Sequence, residues 1–194
     1  MAELLRQQDA LQAEARAVAA DLQVDGVLGQ VGEVNWVGSA ALGLMVWRDL
    51  DLTVVCAKLM LEPVWEIGAK FARHPRVNTV TFRNDSGHWI TDPTKYPDGL
   101  YLGVGYRSTS ARDWKLDIWF VDEPERQPDL AHLRWIPEVL TPETRSAILT
   151  IKNAWARGAE YGKRVKSFDI YSAVLNAGVR SLEEFDDWLG RRAQ

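Results

Sequence analysis

The sequence predicts an α+β chain: a mixed β-sheet with flanking helices, followed by a small helical part. Three observations predict it. Short runs of alternating apolar residues recur at 49–56, 77–83, 100–106 and 114–121. Two stretches among them, 2–22 and 62–74, carry their apolar residues at helical spacing instead. Beyond Thr141 only helix signals remain. The expected division falls near residue 125, giving 1–125 and 126–194.

The first helix places Leu4, Leu11, Ala15, Val18 and Leu22 on one side, with Glu, Arg and Gln between them. Gly26 is expected to end it, and Val27–Val37 to form the first strand, up to Gly38. Only a short helical turn fits between Ser39 and Trp47. In the next strand, alternation puts Leu50, Leu52, Val54 and Cys56 on a core face. Asp49, Asp51, Thr53 and Val55 lie on the other. Glu62–His74 reads as an amphipathic helix stopped by Pro75, and Val77–Arg83 as a strand. Asn84–Gly99 is a long loop with a short strand expected at His88–Thr91; a loop of this length in a compact chain is often functional. Leu100–Tyr106 and Trp114–Val121 are strands joined by the polar turn Arg107–Asp113. Gly103-Val104-Gly105 is only a fragment of a dinucleotide fingerprint, because no third glycine or helix follows. After a polar linker at Asp122–Asp129, Thr141-Pro142 opens a helix to about Gly158. Ser167 caps another that Gly178 ends, and Ser181-Leu182-Glu183-Glu184 is a capping box for the last.

Composition excludes several classes. The 194 residues are 46% hydrophobic, enough for a core without staples, and nine tryptophans should be core or pocket wall. A net charge of −4 argues against a protein whose main task is holding long nucleic acid. The single cysteine, Cys56, can form neither an internal disulfide nor a cysteine zinc site, and reads as a small buried hydrophobe. His74, His88 and His132 have no metal-ligand spacing. Met1-Ala2-Glu3 soon gives way to charge, which predicts no signal peptide. The longest uncharged stretch, Val34–Trp47, is too short and glycine-broken to span a bilayer. A cytoplasmic protein with no membrane contact is expected.

The chemistry concentrates in four pieces. Gly38-Ser39 ends the first strand; Asp49-Leu50-Asp51 presents two carboxylates on one strand face; Leu116-Asp117-Ile118 adds a third. If Asp117 lies on a neighbouring strand, each pair at about 6 Å repels by roughly 3 kcal/mol at an effective dielectric near 20. Such a cluster calls for a cation, and hard oxygen ligands favour Mg²⁺, or Mn²⁺ in its place. Gly38-Ser39, then Ala41 and Gly43, then Asp49 and Asp51, then Asp117, resembles the nucleotidyltransferase superfamily related to DNA polymerase beta. The likeness is to its small bacterial members, the aminoglycoside and lincosamide and the minimal nucleotidyltransferases, over roughly residues 27–121.

The resemblance implies a nucleotidyltransferase-type sheet followed by a helical subdomain, with the active cleft between them. It implies that Asp49, Asp51 and Asp117 hold metal and are catalytic, and that Gly38 and Ser39 hold the phosphates of an NTP. An NMP would pass to an acceptor hydroxyl and pyrophosphate would leave; a small-molecule acceptor is mildly favoured over protein or RNA. Relatives often place a basic residue of the helical part on the triphosphate. Lys163 is the candidate carried forward, beside Lys152 and Arg164, although a solvated helix face is the plainer reading of each. Arg107, Arg112, Tyr161 and Trp119 could meet phosphate, acceptor or base, or simply pack. Arg48 precedes the first aspartate where relatives carry a small polar residue, and it could pair with that aspartate. The apolar run Leu42, Leu44, Met45, Val46 and Trp47 is a pocket wall or a partner surface. The alternative function is a non-catalytic nucleotidyltransferase-like protein that binds a protein partner, for example one half of a toxin–antitoxin pair.

Overall fold

The computed structural model describes residues 2–192. Five strands form one sheet in the order β1-β2-β5-β4-β3. They are β1 (Glu33–Trp36), β2 (Asp49–Val55), β3 (Val77–Asp85), β4 (Gly99–Arg107) and β5 (Asp113–Val121). β2 and β5 run parallel, and every other neighbouring pair is antiparallel. The sheet is therefore mixed. Among the described residues eight α-helices accompany it: α1 (Ala2–Asp21), α2 (Val24–Leu28), α3 (Gly38–Leu42), α4 (Leu61–Ala72), α5 (Pro128–Val139), α6 (Pro142–Trp155), α7 (Ser167–Asn176) and α8 (Leu182–Arg192).

Strand alternation divides the sheet into two faces. Leu50, Leu52 and Val54 of β2, Leu116, Ile118 and Phe120 of β5, and Leu100, Leu102 and Val104 of β4 are buried on one face. They pack with Leu11, Ala15 and Val18 of α1, Val24 and Leu28 of α2, and Val64, Ile67 and Phe71 of α4. A second apolar cluster joins α5–α8 through Ile136, Ile148, Ile151, Tyr171, Val174 and Phe185. The run after Gly38 joins the two. Ala40 and Met45 belong to the first cluster, while Leu42 and Leu44 belong to the second. The unusual apolarity of residues 40–47 is thus mainly a seam between the sheet and the helices.

Four elements depart from the sequence reading. Val27–Val37 is not one strand: Val24 and Leu28, four apart and fully buried, anchor α2, and β1 keeps only Glu33–Trp36. Gln23, at φ 52, reverses the chain, and Gly26 lies inside α2 instead of ending α1. Gly32 passes so close to β2 that a Cβ would sit 2.3 Å from the Val55 carbonyl. His88–Thr91 forms no strand; Gly87–Trp89 is a 3-10 turn whose glycine adopts φ 56. The linker ends early, because Pro128 opens α5, and Pro137 inside that helix masked it in the sequence. Ser167 is the first residue of α7, not its cap: Lys166 holds that position, and its N–H donates to Asp169 at 2.8 Å.

The other helix starts follow the expected chemistry. Thr141 accepts from the Thr144 N–H at 3.2 Å while the Thr144 hydroxyl accepts from the Thr141 N–H at 2.9 Å. The Glu184 N–H donates to Ser181 at 3.2 Å, which is half of the expected capping box, while the Glu184 carboxylate accepts from the Arg180 N–H at 2.6 Å instead of from Ser181. Gly178 leaves α7 at φ 73.

Candidate active site

A cleft of about 780 Å³ lies between the second face of the sheet and the helices α5 and α7. The β2–β5 register sets Asp51 directly opposite Asp117, and Asp49 opposite Lys115. Alternation turns all four toward the cleft. One carboxylate oxygen from each of Asp49, Asp51 and Asp117 lies within 4.8 Å of the others. Three acids from two parallel strands therefore converge.

Gly38 stands against this cluster and is required twice over. Its φ is +59, and a Cβ there would sit 2.3 Å from Oδ2 of Asp51. A side chain would push the α3 turn away from the carboxylate. Ser39 follows, nearly buried, and its hydroxyl accepts from the Lys152 ammonium at 2.6 Å. Lys152 is wholly buried and also donates to the Leu44 carbonyl at 2.8 Å and the Tyr171 hydroxyl at 3.1 Å. Three neutral acceptors satisfy its three protons. Burial lowers its pKa, opposed by Tyr161, Asp51 and Asp49.

The acids respond in the opposite sense. Burial, reinforced by Asp117, raises Asp49 to about 6, against the pull of Lys115 and Lys152. Burial likewise raises Asp51 well above the usual carboxylate range, with Asp49, Asp117 and Asp129 adding to it. Among the described residues, Oδ1 of Asp49 is buried with no hydrogen-bond partner. An orphaned carboxylate oxygen beside two further carboxylates suits a divalent hard cation, which takes oxygen ligands and neutralises the cluster.

The positions of the remaining candidates are equally definite. Lys163 is exposed on the turn after α6 and does not line the cleft, whereas Lys166 does. Lys152 is the helical lysine that reaches the Gly38-Ser39 turn. Arg48 pairs with Glu14 of α1 at 2.8 Å, so it does not neutralise Asp49. Arg107 pairs with Asp113 at 2.7 Å, and neither it nor Arg112 lines the cleft. Trp119 and Tyr161 do line it, the first tilted against Tyr101 and the second edge-on to Trp47.

Sequence reasoning expected the cleft to be closed by the helical part but named no residue of α5 in its wall. Asp129 and His132 of α5 line the cleft, and the His132 ring stacks on the half-exposed Phe168 at 4.3 Å. Pro128 at the first position of α5 was the available signal for the start of that wall. Tyr101, whose hydroxyl donates to Asp117, was missed as well.

No family model matches the sequence, and no curated protein matches it. Solved structures do. Cid1 in complex with the UTP analogue UMPNPP superposes with a TM-score of 0.60 at 15% identity, over 86% of this chain and 48% of that one. A cytoplasmic RNA terminal U-transferase gives 0.58 at 14% identity, over 90% of this chain and 54% of that one. CdnC from E. coli MS115-1 with ATP gives 0.48 at 15% identity, over 96% and 65%. The chain spans about half the length of the first two. It shares the fold of these two structures, a five-stranded mixed sheet with flanking helices.

Proposed function

We propose that this protein is a metal-dependent nucleotidyltransferase that moves an NMP from an NTP to an acceptor hydroxyl. The observation that carries the reading is the convergence of Asp49, Asp51 and Asp117 beside the Gly38-Ser39 turn. The 1–125 part contributes the acids and the turn, and 126–194 closes the cleft over them.

Asp49 and Asp51 would hold Mg²⁺ or Mn²⁺, with Asp117 on the acceptor side. A divalent ion bound there supplies charge neutralisation at the triphosphate and polarises the oxygens it touches. The chain's own groups do the rest. Ser39 and the backbone N–H groups of the α3 turn hold the β- and γ-phosphates. Lys152, 2.6 Å from the Ser39 hydroxyl, fixes that hydroxyl and adds a positive charge behind it. Lys166 lines the same cleft with a second positive charge, taking the place the sequence suggested for Lys163. Asp117 takes or steers the acceptor proton. Phe168, half exposed in the cleft, offers an apolar face to the base.

A small acceptor suits the charge of the cleft. Apart from the three clustered acids, it is lined by Asp85, Asp92, Asp129 and Asp169 against Arg83, Lys95, Lys115 and Lys166. This balanced lining gives no basic track for a long polyanion.

The test is calorimetric titration of each NTP with and without Mg²⁺, alongside Asp51→Asn. Mg²⁺-dependent binding that the variant loses supports the reading. The absence of such binding with all four NTPs would favour a nucleotidyltransferase-like protein that docks a protein partner.

A further inference from the structure

The acid cluster is not symmetric. Oδ1 of Asp49 is buried and has no partner among the described residues, whereas both oxygens of Asp117 are engaged by the chain itself. The Tyr101 hydroxyl donates to Oδ1 of Asp117, and the Lys115 ammonium donates to Oδ2 at 2.6 Å. These two donors differ in how firmly they are held.

Tyr101 is fixed from several sides. It lies along β4 over Gly103, the residue directly opposite Asp117, and a Cβ at 103 would come within 2.6 Å of its hydroxyl oxygen. Its ring packs against Trp119 at 5.2 Å, with the Arg83 guanidinium 4.8 Å from its centre. The Gly103-Val104-Gly105 run, meaningless as a dinucleotide fingerprint, makes the room that lets the phenol reach the acid. Lys115 has no such support. Its side chain is 61% exposed on a flexible stem, while that of Asp117 is only 16% exposed.

We infer that Lys115 is the resident cation on the acceptor side of the cluster, and that it competes with a second divalent ion for one place, Oδ2 of Asp117. The inference rests on the proposed reading of the three aspartates as metal ligands. Each carboxylate oxygen keeps a second lone pair, but the phenol is fixed on Oδ1 while the lysine can leave Oδ2, so Oδ2 is the oxygen Asp117 gives most readily. A first divalent ion at Asp49 and Asp51 displaces no internal donor of Asp117. A second, to take Oδ2, must move the Lys115 ammonium aside. The chain without substrate therefore binds one ion tightly and disfavours the second. An ion pair exposed on both sides would have no such effect on metal count, because it forms and breaks at little cost; here the carboxylate is only 16% exposed.

The test counts Mn²⁺ bound to the full chain, using Mn²⁺ alone as the probe and the electron paramagnetic resonance of the free ion as the readout. The wild type should take up one tight equivalent. Lys115→Met should reveal a second, on the order of tenfold tighter than in the wild type, since one nearby positive charge is gone. Lys115→Arg should stay at one. Tyr101→Phe, which frees Oδ1 and keeps the ring, should also admit a second ion with Lys115 in place. Asp51→Asn should lose the first ion. One equivalent in both the wild type and Lys115→Met, lost in Asp51→Asn, overturns the role of Lys115 and leaves the metal reading standing. Two equal sites in the wild type overturn it as well. No Mn²⁺ bound by any of these proteins overturns the metal reading beneath it.

Discussion

The two faces of the β2–β5 pair share one backbone and have opposite energetics. On one face, Leu50, Leu52, Val54, Leu116, Ile118 and Phe120 are fully buried among apolar neighbours. On the other, the alternate residues Asp49, Asp51, Lys115 and Asp117 gather charge around a cleft. The first face stabilises the fold by removing apolar surface from water. The second works against it, since burial and mutual repulsion raise the pKa of both Asp49 and Asp51. The parallel register Asp51↔Asp117 makes this unavoidable: the pairing that aligns the core aliphatics also brings the acids together. The core face carries the strain that the cleft face stores.

That contrast can be broken by single substitutions. The largest effect is expected from Phe120→Ala on the core face. Phe120 is 0% exposed, and its truncation should cost about 3–5 kcal/mol in denaturant unfolding. A cost under ~1 kcal/mol would mean that this face is not the main support. Asp51→Asn, on the opposite face of the same sheet, should act in reverse. Without metal it should raise stability by about 1–3 kcal/mol, because it removes a buried, repelled carboxylate. In the same protein, Mg²⁺-dependent NTP binding should fall below detection. A variant that melts earlier than the wild type in chelator would contradict the opposition between the faces.

The pH dependence sharpens the comparison. Asp49 titrates near 6 in the folded protein against 3.8 in the unfolded chain, so between these values the folded state binds more protons. Its contribution then favours folding at low pH and is lost as pH rises from about 4 through about 6. Asp51 adds in the same direction. Metal-free stability should therefore decline across this window by on the order of 2–3 kcal/mol. Excess Mg²⁺ should restore it near pH 7 and do little near pH 4, where protons occupy the same oxygens. Thermal melts across pH with chelator or Mg²⁺ check this, and Asp49→Asn should flatten the chelator curve.

Legibility in the sequence followed the strength of the local signal. The β2 and β5 strands could be read from the alternation that puts leucine and isoleucine between the aspartates, and the fold class followed from them. The acid cluster could be inferred only by supposing the two strands adjacent, because the register Asp51↔Asp117 is a long-range fact. The α2 turn was hidden because Val24, Val27 and Leu28 look alike in a strand and in a single helical turn. The α5 helix was hidden by Pro137. Lys152 was visible only as one of several lysines; its selection by the Ser39 hydroxyl and Leu44 carbonyl depends on how α6 packs against the 38–47 seam. Tyr101 could not be singled out, since its reach over Gly103 depends on which residue of β5 lies opposite. Periodicity shows which face a residue takes, and tertiary register decides what it meets there.

The smallest expected effect also lies on the cleft side of β2. Thr53 follows the two aspartates in the alternation and is 0% exposed, and its hydroxyl has no hydrogen-bond partner. It faces Asn35 of β1 and Trp119 of β5 across the ladders. A buried hydroxyl without a partner loses its water and gains nothing in exchange, which costs about 1–3 kcal/mol. Valine has nearly the same shape and is likewise restricted at χ1 by its β-branch. Thr53→Val should therefore stabilise the fold by about 1 kcal/mol, read as a higher denaturant midpoint at unchanged slope. NTP and Mn²⁺ binding should be unaltered, because Thr53 does not line the cleft. Stabilisation without loss of binding would put the boundary between the charged site and the packed sheet just beyond Asp51. A loss of binding would extend the site one alternate residue further along β2.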